Sequence, residues 1–220
     1  MDADMQCWRG VYLPKHERHL IEWMQAKNEI IDGKPTYQYH KLRKAMEHVK
    51  YHRVAVDVGA HCGLWSMHLA KAFDWVHAFE PLELHRRCFA QNVLGKNVTL
   101  YDRALGDHEG GVNIHTENTS SGDSYVSGEG TIRISRLDDI EEMASVDVDF
   151  VKLDCEGYEY YALVGAHEML LRCKPCVLVE QKPGKAQKFG LHETQAVKYL
   201  EGLGAKLRFA MSGDFCLSWD

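Results

Sequence analysis

Short apolar runs and amphipathic stretches alternate along the chain from residue 54 onward. The runs that predict buried strands are 54–58, 75–79, 98–101, 150–153 and 176–179. The stretches between them repeat apolar residues at helical spacing and predict helices at 64–72, 84–94, from about residue 160, and at 193–203. Strands that alternate with helices form βαβ units, so the pattern predicts an α/β fold around a parallel sheet.

The C-terminal residues depart from this alternation. Residues 205–211 and 215–219 have the pattern of two more strands, and only Ser212-Gly213-Asp214 separates them. A glycine-containing turn this short joins antiparallel neighbours. We therefore expect a mostly parallel sheet of seven strands that ends in an antiparallel hairpin.

The first 50 residues have a helical pattern and predict an N-terminal helical extension, followed by a main domain at 51–220. Pro14 and Gly33-Lys34-Pro35 interrupt the pattern. The residues that share a helical face are Leu20, Ile21 and Met24 in one helix, and Tyr39, Leu42, Ala45, Met46 and Val49 in the next.

Residues 106–135 predict an insertion into the main domain. Gly110-Gly111 and 119–122 are turn signals, and 112–115 and 131–134 have the pattern of short exposed strands. We expect a β-hairpin with a mobile tip at 117–130. The tip is either a lid over a substrate or an ordinary surface loop.

Composition excludes several classes of protein. The net charge of −6 over 220 residues argues against a general polyanion binder. Seven scattered cysteines form no disulfide framework, and Cys173-Lys174-Pro175-Cys176 has no second pair to complete a zinc site. The sequence contains no membrane-length apolar segment and no signal peptide, so we expect a cytoplasmic protein and no membrane partner.

A glycine-rich turn follows the first strand of the main domain. Val56-Asp57-Val58-Gly59-Ala60-His61-Cys62-Gly63 has the strand–turn–helix context of a nucleotide cradle. The acidic Asp57 would repel a phosphate and suits a cationic amino group. Glu80 ends the second strand, 17 residues after Gly63, where an acid binds ribose hydroxyls. A nucleoside with a cationic amino group, such as S-adenosylmethionine, fits both features.

Four segments give the sequence a resemblance to the FkbM family of methyltransferases. They are 56–63, Phe79-Glu80-Pro81, Arg136-Leu137-Asp138-Asp139-Ile140, and above all Phe150-Val151-Lys152-Leu153-Asp154-Cys155-Glu156-Gly157-Tyr158-Glu159. The similarity covers about residues 54–182, and His61 stands where the family usually has asparagine. It implies a Rossmann-like class I methyltransferase fold, whose sheet ends in an antiparallel hairpin, and S-adenosylmethionine as the cofactor. We expect no metal, because sulfonium chemistry does not demand one.

The resemblance also implies positions for the parts of the cofactor. Asp57 and the turn of Gly59, Ala60, His61, Cys62 and Gly63 would hold its methionine end. Glu80, next to Pro81, would hold the ribose, and Arg103-Ala104-Leu105 would lie at the adenine. Tyr37 either closes over the methionine end or packs against a helix.

Three charged residues at strand ends are candidates for catalysis: Asp154, Glu156 and Lys182. An alcohol acceptor must lose its proton during transfer. Asp154 is the first candidate for the base, although it could instead orient the methionine, and Glu156 is the second. Lys182 could bind an anionic acceptor or be an ordinary exposed lysine. Aromatic candidates for the cavity wall are Trp65, Tyr158 and Tyr160.

The resemblance implies O-methylation of a hydroxyl on a sugar, glycan or other small metabolite. The alternative is a nucleic-acid methyltransferase, favoured by two basic stretches: Lys41, Arg43, Lys44, Lys50 and Arg53, and then Lys182, Lys185 and Lys188. Asp154 with Lys182 also matches part of the catalytic set of ribose 2′-O-methyltransferases. A third possibility is a cofactor-binding regulator without catalysis. The sequence does not indicate an oligomeric state.

Overall fold

The computed structural model describes residues 2–116 and 120–219. Its strands are β1 Met5–Trp8, β2 Val11–Pro14, β3 Ile30–Ile31, β4 Lys34–Pro35, β5 Val54–Val58, β6 Trp75–Phe79, β7 Val98–Tyr101, β8 Ala104–Leu105, β9 Gly110–His115, β10 Tyr125–Glu129, β11 Ile132–Ser135, β12 Val148–Leu153, β13 Cys176–Glu180, β14 Lys206–Met211 and β15 Asp214–Ser218. The helices are α1 His19–Lys27, α2 Tyr39–Met46, α3 Ser66–Ala72, α4 Glu83–Asn92, α5 Glu159–Val164, α6 His167–Cys173 and α7 Gln195–Gly202.

The central sheet has seven strands in the order β14-β15-β13-β12-β5-β6-β7. The pairs β13–β12, β12–β5, β5–β6 and β6–β7 are parallel, whereas β15 is antiparallel to both β13 and β14. This confirms the predicted α/β fold with its terminal hairpin. Val58 lies opposite both Phe79 and Leu153, so the carboxyl ends of the central strands meet at one edge.

Alternate residues of the central strands pack on opposite faces of the sheet. Val56, Val151 and Val177 join the apolar layer formed with α5, α6 and α7. Ala55 and Phe150 join the layer formed with α2 and α3. Both faces are covered, which explains why the strands are continuous apolar runs rather than alternating ones.

The N-terminal extension is only partly helical, so that prediction was wrong for residues 5–14. β1 and β2 form an antiparallel hairpin, with Arg9 and Gly10 at positive φ in the turn. The hairpin packs on α4, where the Asn92 amide donates to the carbonyl of Tyr12 at 2.7 Å and accepts from its N–H at 2.8 Å. Two helices follow, and they bury the predicted faces.

A buried ion pair joins this extension to the C-terminal hairpin of the sheet. Lys41 on α2 contacts Asp214 on β15, and both side chains are more than nine-tenths buried. Burial raises the pKa of Asp214, and Lys41 opposes this effect. The basic side chain at position 41 is therefore part of the core and not of a basic surface.

The insertion is a small sheet rather than a simple hairpin. β9 and β11 pair antiparallel, as expected, with Val112 opposite Ile132. The predicted mobile tip contains a further strand, β10, which pairs with β9, while β8 pairs with β11 in parallel. Residues 117–119 of the predicted tip lie outside the described residues.

Within residues 2–116 and 120–219, no helix combines the length and the apolar character needed to cross a membrane. All seven cysteines are free thiols, Cys173 and Cys176 of the CxxC segment among them.

Candidate active site

A cavity opens at the carboxyl edge of the sheet, above β5, β6 and β12. It brings together twelve of the predicted site residues, which are Tyr37, Gly59, Ala60, His61, Glu80, Pro81, Arg103, Ala104, Leu105, Asp154, Glu156 and Lys182. Asp57, Cys62 and Gly63 do not line it. Of the aromatic candidates, Trp65 and Tyr158 line the cavity. Tyr160 does not, because its ring packs edge-on against Tyr161 and Tyr199.

The turn after β5 requires glycine at two positions. Gly59 has φ +72°, and a Cβ there would lie 1.9 Å from the carbonyl oxygen of Asp154. Gly63 has φ +80°, and its Cβ would lie 2.6 Å from the Val93 side chain. His61 also has positive φ, at +51°. The turn therefore packs against the end of β12 and against α4 more closely than other residues allow.

Asp57 supports this turn from below, and its expected contact with an amino group of the cofactor remains a prediction. Its carboxylate has no exposed surface and accepts a hydrogen bond from Ser66 at 2.6 Å. Lys152 Nζ lies 3.3 Å from the other carboxylate oxygen and donates to the Gly59 carbonyl at 2.8 Å. Asp57 thus acts on the turn through Lys152.

Lys152 is a site residue to which the sequence analysis gave no role. Burial disfavours its charge, but Asp57 and Asp154 raise the pKa of Lys152 above its ordinary value, so the side chain stays cationic. A lysine inside a strand whose six residues are all buried is the signal that could have found it.

Glu80 is buried at the end of β6 with both carboxylate oxygens hydrogen-bonded. It accepts from the His61 N–H at 2.8 Å, from the Leu82 N–H at 2.9 Å and from the His85 ring at 3.2 Å. Burial works to raise the pKa of Glu80, but these hydrogen bonds outweigh it and the net shift is downward. The ionised carboxylate keeps accepting capacity toward the cavity, as a pair of ribose hydroxyls requires.

The wall beyond Glu80 is apolar with one cationic donor. Ala104, Leu105 and Phe79 line it. The Arg103 guanidinium lies 5.7 Å from the centroid of the Tyr101 ring, and its buried Nε has no hydrogen-bond partner among the described residues. A flat, polar-edged heterocycle matches this surface.

The other end of the cavity is rich in charge. Oxygen atoms of Asp154, Glu156 and Glu180 lie within 4.8 Å of one another. Lys182 Nζ lies 2.6 Å from Glu180, and Lys185 forms an ion pair with Glu156. Three such carboxylates could hold a metal ion, but two of them already have lysine partners. The expectation that no metal is bound remains a prediction.

Glu156 has the most constrained carboxylate of this group. Its backbone is left-handed, with φ +58°, which is a costly conformation for a residue with a side chain. Burial, followed by the charge of Asp154, raises the pKa of Glu156 to about 7, although Lys185 opposes the shift. Burial and Asp154 also raise the pKa of Glu180 to about 9. Asp154 itself is more exposed, and its nearest cation is Lys152 at 4.0 Å.

Two distant segments cover the cavity. Ser121, in a 3₁₀ turn of the insertion, donates through its N–H to Glu17 at 2.7 Å and through its hydroxyl to the same oxygen. The Ser121 hydroxyl also lies 2.8 Å from the ring of His61. Glu17 is fully buried and accepts from the Leu20 N–H at 2.8 Å. We call residues 17–20 and 120–124 the roof. The sequence left a lid open as one role for residues 117–130, but it indicated no such role for residues 17–20, because Glu17 and Ser121 are 104 positions apart in the chain.

Comparison with known proteins agrees with this architecture. The fold is that of a class I methyltransferase, a class whose cofactor is S-adenosylmethionine. A family model described as the methyltransferase FkbM domain matches residues 57–207, and the chain belongs to this family. No curated protein matches the sequence.

Solved structures share the fold at low sequence identity. An FkbM methyltransferase from Methylobacillus flagellatus is 20% identical with a TM-score of 0.52, over 76% of this chain and 43% of that one. This chain thus spans less than half of that protein. An rRNA methylase from Streptococcus thermophilus is 11% identical with a TM-score of 0.50, over 84% of this chain and 98% of that one. A protein from Streptococcus mutans, solved in complex with SAH, is 10% identical with a TM-score of 0.50, over 83% and 96%.

Proposed function

We propose that this methyltransferase O-methylates a hydroxyl of a sugar or another small metabolite, with Glu156 as the base. The observation that carries the proposal is the buried Glu156 carboxylate. It lines the cavity, its backbone is strained, and its pKa of about 7 suits proton removal at neutral pH.

The residues of the cavity fit S-adenosylmethionine along its whole length. Glu80 would bind the ribose hydroxyls, and the wall of Arg103 and Leu105 would hold the adenine. Asp154 lies against the glycine turn, beside Gly59, and would orient the amino group of the methionine. When bound, the cofactor supplies a methyl group on a sulfonium, which is a strong electrophile.

This arrangement supports a division of the two roles that the sequence left open between Asp154 and Glu156. Asp154 is next to the turn and would serve the methionine end. Glu156 is two residues further on and would accept the proton of the acceptor hydroxyl as its oxygen attacks the methyl carbon. The bound cofactor would supply the methyl group and keep the electron pair of its carbon–sulfur bond on sulfur. Lys182, held by Glu180, would bind an anionic part of the acceptor.

Four of the eight cations in the basic stretches that favoured a nucleic-acid substrate pair with carboxylates. Lys41 is buried against Asp214, and Arg53 donates to Asp149 at 2.6 Å. Lys182 pairs with Glu180, and Lys185 pairs with Glu156. These four cations are less available to phosphates, which supports a small acceptor over a polynucleotide.

The test is a transfer of labelled methyl groups from S-adenosylmethionine to three acceptor pools: a metabolite extract, a set of glycans, and total RNA. We expect label in the first or the second pool and product at an oxygen atom. Label in RNA alone would contradict the proposal. Glu156→Gln should abolish the transfer while SAH still binds in a calorimetric titration. Absence of transfer to every pool, with SAH bound, would support the non-catalytic regulator instead.

A further inference from the structure

We propose that Lys185 is a positioning residue for methyl transfer, which holds the Glu156 carboxylate toward the cavity and links it to the roof through Asp123. The inference rests on the proposed role of Glu156. It adds a residue that the sequence analysis counted only as part of a basic stretch.

Lys185 contacts the strained turn with both its backbone and its side chain. Its Nζ forms an ion pair with Glu156. Gly157 has φ +107°, and a Cβ there would lie 2.4 Å from the Lys185 carbonyl oxygen. The Glu156-Gly157 backbone is therefore pressed against the segment after β13. Any side chain at position 157 would displace Lys185 and disrupt its ion pair with Glu156.

The same ammonium group also reaches the roof. Lys185 Nζ donates to Asp123 at 2.8 Å, and Asp123 ends the 3₁₀ turn that begins with Ser121. That turn is fixed by Glu17 and His61 through Ser121. One cation thus joins the proposed base to the cover of the cavity, so the base is fully positioned only when the roof is closed.

The charges around Glu156 come from three segments. Asp154 lies on its own segment, Glu180 ends β13, Lys182 and Lys185 follow that strand, and Asp123 belongs to the roof. Burial disfavours the charge of Lys185, but Asp123 and Glu156 raise its pKa above the ordinary value, so it remains cationic. The Lys185 ammonium group lowers the pKa of Glu156, whereas the carboxylates of Asp154 and Asp123 raise it.

The experiment measures the pKa of Glu156 by carbon NMR of carboxyl-labelled protein with SAH bound, the signal being assigned from Glu156→Gln. Lys185→Met should raise this pKa from about 7 to about 8 or higher, because it removes a cation within ion-pair distance. Lys185→Arg should keep it near 7. The matched control is Lys198→Met, since Lys198 is exposed on α7. Thermal unfolding and the SAH titration check that each variant is folded.

Hydrogen exchange tests the link to the roof in the same samples. Lys185→Met and Asp123→Asn should both speed amide exchange in residues 120–124, whereas Lys198→Met should not. Asp123→Asn should also lower the pKa of Glu156, because it removes an anion and leaves Lys185 to a single partner.

The outcomes separate this inference from the proposed function. If Lys185→Met leaves the pKa of Glu156 unchanged while Glu156→Gln is inactive, Glu156 is the base and Lys185 does not position it. If Glu156→Gln is fully active, both ideas fail. If the pKa shifts but exchange in the roof does not, the link through Asp123 is overturned.

Discussion

The two ends of the cavity are built in different ways. The proposed cofactor end is built around one turn and two strand ends, within residues 57–63 and 79–81, and Arg103, Leu105 and Asp154 complete it. The proposed acceptor end contains Glu156 and Lys182, and residues from distant segments hold it or cover it, among them Lys185 and Ser121. The first end is therefore held by local backbone constraint, whereas the second depends on charge pairs between segments far apart in the chain.

The largest expected effect is the difference between variants of Glu156 and Asp154, whose carboxylates lie where the two ends of the cavity meet. Glu156→Gln should lower turnover about 10²–10⁴-fold with SAH affinity nearly unchanged, because a proton acceptor is lost. Asp154→Asn should mainly weaken SAH binding. Labelled-methyl assays and calorimetry measure the two effects. The reverse pattern would restore Asp154 as the base.

At the cofactor end, Glu80→Ala should weaken SAH binding by about 1.5–3 kcal/mol, since charged hydrogen bonds to ribose are lost. Turnover at saturating cofactor should fall much less. Calorimetry on this variant and on Glu83→Ala, an exposed acid at the start of α4, gives the comparison. Equal losses in both would show that Glu80 makes no specific contact.

The pH dependence of kcat/KM should reflect the ionisation of Glu156, at the proposed acceptor end, and not that of the cofactor end. Glu156 must be ionised to accept a proton, and its pKa is about 7, so kcat/KM should rise about tenfold per pH unit below 7 and level off above it. SAH affinity should stay nearly constant from pH 6 to 8, because the pKa of Glu80 is lowered below the ordinary range. An activity plateau that extends down to pH 5 would exclude Glu156 as the base.

The smallest effect concerns the roof. Ser121→Ala should reduce the free energy of unfolding by about 1.5 kcal/mol, because the buried Glu17 carboxylate loses one hydrogen bond but keeps the backbone donor. Denaturant unfolding measures it, with Ser127→Ala on the exposed part of β10 as the control. No difference between the two variants would mean that the hydroxyl does not hold the roof closed.

The contrast between local and long-range contacts also explains how much of the structure the sequence could predict. The central strands and the turn from Gly59 to Gly63 were predictable, because short apolar runs and required glycines are local signals. The β1–β2 hairpin was missed because its strands are only four residues long, although they pair with each other across a local turn at Arg9 and Gly10. The contact of Asp57 with Lys152 was not predictable, because the two residues are 95 positions apart in the chain and adjacent only across the sheet.

The Lys41–Asp214 pair bears on the order in which the chain can become stable. The two residues are 173 positions apart, so α2 emerges during synthesis long before its buried counterion exists. Until β15 joins the sheet, docking α2 would bury an uncompensated ammonium group, at a cost of several kcal/mol. We therefore expect α2 to dock late, together with the β14–β15 hairpin. The two elements should then become protected from proteolysis in a single step.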